Sequence, residues 1–162
     1  MSQFDTLLAD LPAIFHDVTA GAPTRAMRRP YLDRDVVCAT NGRIAVLIET
    51  RHLRPDVLAT LRPRPSTVPD VDGLLRGWRG DGRTHRLPAW DDDGLPPTSS
   101  VRVGWTPLMR RWVAFLLCHQ IRVVETGATP EHSARFDCGA CQGLIRPWPD
   151  RGRRVWMPRY QR

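Results

Sequence analysis

The chain has 162 residues, 41% of them hydrophobic, with six tryptophans and a formal charge of +7. That length suits one domain with a real core and is short for two, and no apolar run approaches the roughly 18 residues of a membrane span. All 24 basic residues are arginine; a GC-rich genome explains that bias without any function, but the positive excess favours contact with something acidic, most simply nucleic acid.

Residues 2–15 read as a helix. Ser2 can cap it with Asp5 three residues on, and Phe4, Leu7, Leu8, Leu11, Ile14 and Phe15 share one face. The opening MSQFDTLLAD carries acids and no basic run, unlike a secretory signal, so the cytoplasm is the expected compartment. Residues 20–30 form a loop holding Arg25, Arg28 and Arg29. A hairpin follows, with strands at 36–40 and 43–49 and Asn41-Gly42 supplying both positive φ angles of a type I′ turn. Its second strand runs Ile44-Ala-Val-Leu-Ile48 without alternation, which predicts cover on both faces.

Residues 52–61 suggest a short helix, ended by Pro63 and Pro65. Residues 62–100 hold many of the 15 prolines, the run RGWRGDGR and the acids Asp91 to Asp93, and read as an irregular insertion. A strand at 101–105 leads to Thr106-Pro107, which has the form of a helix cap followed by proline at the first helical position. That helix should run to about His119, burying Leu108, Met109, Trp112, Val113, Phe115 and Leu116 and exposing Arg110, Arg111 and Ala114. Strands at 121–126 and from 135, then a hairpin of 143–148 with 154–157, complete the order. Helices on one face of a mostly antiparallel sheet, an α+β architecture in a single domain, is the expectation.

The chemical motifs are sparse. Cys138 and Cys141 have the spacing of half a zinc knuckle, and Cys118, His119 and His132 are the remaining ligand candidates. Only one such pair is present, which counts against zinc, the one cofactor these residues suggest, and small reduced thiols in a β turn are the plainer reading. No nucleophile elbow, phosphate loop or metalloprotease spacing is legible among the serines, glycines and five histidines, so no catalytic residue is assigned. The arginines offer more. Arg25, Arg28 and Arg29 in one loop, Arg110 and Arg111 on a helix, and Arg151, Arg153 and Arg154 near the end are candidates for a phosphate-facing surface.

The stretch CATNGRIAVLI resembles the A-T-D-G-x-R-L hairpin of the bacterial β sliding clamps, the processivity factors of DNA polymerase III. The closing GLIRPWPDRGRRVWMPR is similar to the clamp's last strands and Met-Pro-x-Arg tail, and residues 101–126 to the second half of a clamp domain. The resemblance implies a clamp-domain-like fold, helices that face DNA with Arg110 and Arg111 on phosphates, and a partner-peptide site at Met157, Pro158 and Arg159. This chain departs from the pattern at Asn41, in an arginine-free first helix, and in running on to Arg162. It holds about one clamp domain where a clamp subunit has three, so a ring would need a homo-oligomer. Two functions follow as expectations. One is a non-catalytic clamp-like protein of phage or mobile-element origin that binds DNA or replication proteins. The other is a small inhibitor or adaptor that binds an acidic surface of a host nucleoprotein complex, a defence nuclease or the replication machinery, through its arginines.

Overall fold

The computed structural model describes residues 13–88, 94–137 and 139–148. Helix α1 (residues 13–19) and a 3-10 turn at Arg25–Met27 lead into strands β1 (Tyr31–Asp33), β2 (Val36–Thr40) and β3 (Ile44–Glu49). A second 3-10 turn at Thr50–His52 precedes α2 (Pro55–Leu58), β4 (Arg62–Pro63), α3 (Val71–Gly77) and β5 (Gly80–Arg86). Then come β6 (Ser100–Val103), β7 (Thr106–Met109), α4 (Arg110–Cys118), β8 (Val123–Gly127), β9 (Ala134–Asp137) and β10 (Cys141–Ile145). The class is α+β, as expected. Among the described residues one eight-stranded sheet has the order β4-β1-β2-β3-β10-β9-β8-β5, and β6 and β7 form a separate ribbon. Every pairing in the large sheet is antiparallel except that of β1 with β4.

The strand order is symmetric about the seam between β3 and β10. On one side α1 is followed by β1, β2 and β3; on the other α4 is followed by β8, β9 and β10. The repeat is one of topology rather than of residue identity, so no internal repeat is legible in the sequence.

Strand alternation decides which core each residue joins. Val37, Ala39, Ile44, Val46 and Ile48 point to one face, where α1 adds Ile14, Phe15 and Val18 and α4 adds Trp112, Val113, Phe115 and Leu116. Val36, Cys38, Ala45 and Leu47 point to the other, against Met27, Tyr31, Val68 and Val71, with Leu74 and Leu75 of α3 packed at its margin. The unbroken apolar run of β3 is therefore buried on both faces. Each such Ile, Val or Leu contributes about 1.5–3 kcal/mol. Helices α1 and α4 share one face, while α3 covers part of the other.

Five expectations need correction. The opening turn is not type I′: only Gly42 has positive φ, +84°. Asn41 stays on the ordinary side because its side-chain Oδ1 accepts the N–H groups of Arg43 (2.8 Å) and Ile44 (3.1 Å). Thr40 braces the turn from the other side, its hydroxyl donating to Ile44 O at 2.9 Å and accepting from Gly42 N at 3.1 Å. Gly42→Val is expected to cost about 2 kcal/mol, because a β-branched residue resists positive φ. A melting temperature lowered by roughly 4–8 °C would register it.

Residues 62–86 are not simply irregular. They supply β4 and β5, the two outermost strands of the sheet, and α3 between them. Asp70 caps α3 by accepting from Gly73 N at 2.9 Å. The polar sequence of β5 suits an edge strand, charged and interrupted by an irregularity in its pairing with β8 between Gly80 and Thr84. Asp91, Asp92 and Asp93 lie outside the described residues.

Thr106 and Pro107 begin a strand rather than a helix. Val103 pairs with Thr106 across a turn at Gly104-Trp105, and Pro107 stands opposite Arg102 in a two-stranded ribbon that tolerates its missing N–H. Helix α4 starts at Arg110, where the carbonyls of Ser99 (2.8 Å) and Pro97 (3.0 Å) accept the first N–H groups of Arg110 and Arg111. The apolar face expected for it is buried as expected. The helix expected at 52–61 shrinks to Pro55–Leu58, and the first helix continues past Phe15 to residue 19. Residues 2–12 of that first helix and the strand expected at 154–157 lie outside the described residues.

Candidate functional site

Most described arginines near an acid are committed to it. Arg76 sits 2.9 Å from Asp72, Arg64 3.0 Å from Asp33, Arg54 2.8 Å from Asp56, Arg135 3.3 Å from Asp137 and Arg34 3.6 Å from Asp72, while Arg51 pairs with Glu49. Arg25, Arg28 and Arg29 differ: all three are exposed and none forms an ion pair among the described residues.

Their presentation has a local cause. Met27 is 1% exposed and, with Ala22, plugs the 3-10 turn into the second core. The turn is closed by Met27 N to Thr24 O at 3.1 Å and Arg28 N to Arg25 O at 3.3 Å. With the apolar members inside, the arginines are left outside. Arg62 joins them from β4. Its Nη2 donates to the carbonyl of Ala26 and, at 3.3 Å, to that of Arg29, so this guanidinium also holds the loop in shape. Arg25, Arg28, Arg29 and Arg62 together line a surface hollow of about 400 Å³ with no carboxylate in its wall. Four arginines border one concavity, and the guanidinium groups of Arg25, Arg28 and Arg29, which form no ion pair among the described residues, suit phosphate oxygens, which such groups can grip in bidentate fashion.

The other predicted residues fall elsewhere. Arg110 is 9% exposed, so it does not lie on the open side of α4. Arg111 is exposed, and its guanidinium lies over the Trp112 ring at 4.9 Å from the centroid. Since α4 packs on the first face and the Arg25–Met27 turn on the second, Arg111 and the three loop arginines occupy opposite sides of the sheet. Apart from Arg111, the outward positions of α1 and α4 include His16, Asp17 and Cys118. The helices approach each other at His119, whose Nε2 is 3.6 Å from Asp17 Oδ2. Arg151, Arg153, Arg154, Met157, Pro158 and Arg159 lie outside the described residues. Arg62 escaped sequence reading because nothing local connects it with Ala26, 36 positions away.

The described thiols do not converge. Cys118 is exposed at the end of α4, Cys38 and Cys141 are buried on opposite faces of the sheet, and Cys138 lies outside the described residues. His132 is engaged in its own turn, its Nδ1 accepting from Thr129 N at 3.1 Å. Among the described residues no group of three potential ligands could hold a metal ion. Burial pushes the Cys38 thiol up to about 12, against a smaller lowering by its cross-strand neighbour Tyr31, whose hydroxyl burial raises further still. Two outcomes are expected. Iodoacetamide should label Cys118 in the native state, with Cys38 and Cys141 reacting only on unfolding. Stability should be complete below the unfolded thiol pKa and fall as pH rises above about 8.5, since the folded values of Cys38 and Tyr31 lie higher. Mass-resolved labelling and melting curves from neutral to alkaline pH measure both.

No family model matches this chain, and no curated protein or solved structure matches it. No helix among the described residues is long and apolar enough to cross a membrane.

Proposed function

We propose that this chain is a non-catalytic, clamp-like domain that binds a nucleic-acid phosphate backbone without reading its sequence, and that Arg25, Arg28, Arg29 and Arg62 make the contact. The hollow lined by these four arginines and free of carboxylates is the observation that carries it. Guanidinium groups on phosphate position a protein on a duplex but carry no base information. The topology lends support, with two helix-plus-three-strand halves joined edge to edge and both helices on one face.

The clamp resemblance implies contact through the helices, but the described helix face offers DNA an acid, Asp17, as well as Arg111. The carboxylate-free hollow therefore favours contact at that part of the opposite side of the sheet, as a surface binder rather than an encircling ring. The test is titration of a fluorescent duplex at about 0.15 M salt, with particle mass measured by light scattering in the same buffer. Binding by a monomer, equal for unrelated sequences and steeply weakened by salt, is the expected result. A species that ignores duplex and single strands alike would refute this reading and direct the arginines to an acidic protein surface, as an adaptor or inhibitor would use them.

A further inference from the structure

A second concavity lies on the same face of the sheet, between α3 and the exposed parts of β3, β10 and β9, with a volume of about 470 Å³. Its floor is apolar: Val36 and Leu47 are 8% and 3% exposed, and Leu75 of α3 adjoins them. Trp78, immediately after α3, forms a wall, its indole held by a hydrogen bond from Nε1 to Ser133 O at 2.9 Å.

Two polar side chains in this lining keep hydrogen-bonding groups without a partner among the described residues. Arg79 has no acidic partner among the described residues. Its Nη1 donates to the carbonyls of Arg76 (3.3 Å) and Trp78 (3.0 Å), which pins one nitrogen and leaves the Nε and Nη2 pair without an acceptor among the described residues. Gln142 stands opposite Leu47 in the β3–β10 pairing, and so on the same face, with its half-buried carboxamide making no side-chain hydrogen bond among the described residues. The cations beside them are committed: Arg76 to Asp72 at 2.9 Å and Asp35 at 3.7 Å, Arg135 to Asp137 at 3.3 Å and Glu125 at 3.8 Å. Across the sheet from β9, the rim at the start of β2 and the end of β3 carries the acids Asp35 and Glu49, with Asp72 of α3 nearby.

We propose that this cleft is a binding site for a small monocarboxylate with an apolar body. The free fork of Arg79 takes the carboxylate in bidentate fashion. Gln142 donates a further hydrogen bond, and the body lies over Val36, Leu47 and Leu75 against Trp78. A second carboxylate would meet ion-paired side chains and no further free guanidinium among the described lining residues, so dicarboxylates bind more weakly than monocarboxylates. The site is independent of the nucleic-acid contact, which uses different arginines.

The probe is 4-methylpentanoate, titrated calorimetrically into the full chain, with 4-methylpentanamide and adipate as comparators. Saturable binding with a dissociation constant of about a millimolar is expected for a ligand of this size. The amide and the dicarboxylate should each bind at least about tenfold more weakly, and Arg79→Ala should weaken the acid by a similar factor. Arg79→Lys, which keeps the charge without the fork, should lie between the two. Binding in Arg25→Ala/Arg28→Ala/Arg29→Ala should be unchanged. No saturable binding by the wild type, equal binding of acid and amide, or an Arg79→Ala variant that melts normally and binds normally would each overturn the assignment. The acid-to-amide ratio is read on the wild type, so it decides the matter even if a variant folds poorly.

Discussion

Gly143→Ala is expected to destabilise the molecule by about 3 kcal/mol, near the upper end for adding a methyl group to a packed interior. Gly143 sits in β10 opposite Val46 of β3 and Phe136 of β9, on the seam between the two halves of the sheet. A Cβ built there would lie 2.2 Å from the backbone oxygen of Ala45 and 2.2 Å from Cζ of Phe136. The carbonyl belongs to the paired strand and cannot retreat without parting the seam. Phe136 is 1% exposed and has no empty space to turn into. The missing side chain is thus what lets an aromatic ring of one strand lie across the next. The expected loss in melting temperature is roughly 6–12 °C. Gly77→Ala is the matched control: nothing lies within 4 Å of its added Cβ, and the change should be neutral or stabilise α3 by up to about 1 kcal/mol. Equal melting of wild type and Gly143→Ala would show that β3 and β10 are not joined in this register.

The second large effect is functional. In Arg25→Ala/Arg28→Ala/Arg29→Ala, duplex affinity at about 0.15 M salt should fall by about a hundredfold, on the order of 1 kcal/mol for each phosphate no longer gripped. The slope of log affinity against log salt should flatten by up to about three phosphate equivalents, and the weakening should be the same for unrelated sequences. Stability should barely change, since the three side chains are exposed and form no ion pair among the described residues. Arg62→Ala is a different case, because its guanidinium also supports the carbonyls of Ala26 and Arg29. It should lower affinity and loosen the loop together. Arg111→Ala, on the other face, should leave affinity within about twofold; a larger drop there, with the triple variant unaffected, would return the binding surface to the helices that the clamp resemblance implies.

Much of this fold is written in short-range pattern. The unalternating run of β3 foretold burial on both faces, and the two cores meeting at β2 and β3 are the reason. The apolar positions from Leu108 to Leu116 foretold a buried face, even though its first two members turn out to stand in β7 rather than in the helix. Leu108 and Met109 are buried in either conformation, which is why periodicity located the core while misplacing the element. The Asn-Gly signal located the hairpin but not its turn type, because the Asn41 carboxamide competes for the N–H groups that a backbone turn would use.

What sequence alone determined, then, is which segments must be buried and that the class is α+β, since hydrophobic period is a local property and solvent enforces it locally. Tertiary structure decided the rest through partners distant in the chain. The carbonyls of Ser99 and Pro97 moved the start of α4 to Arg110, and pairing with β8 made a strand of the polar residues 80–86. Arg62 was delivered to Arg25, Arg28 and Arg29 by the parallel pairing of β4 with β1. An arginine carries the same charge wherever it lies in the sequence. Whether it is spent on a neighbouring carboxylate or left facing solvent depends on which strand edge the chain returns to.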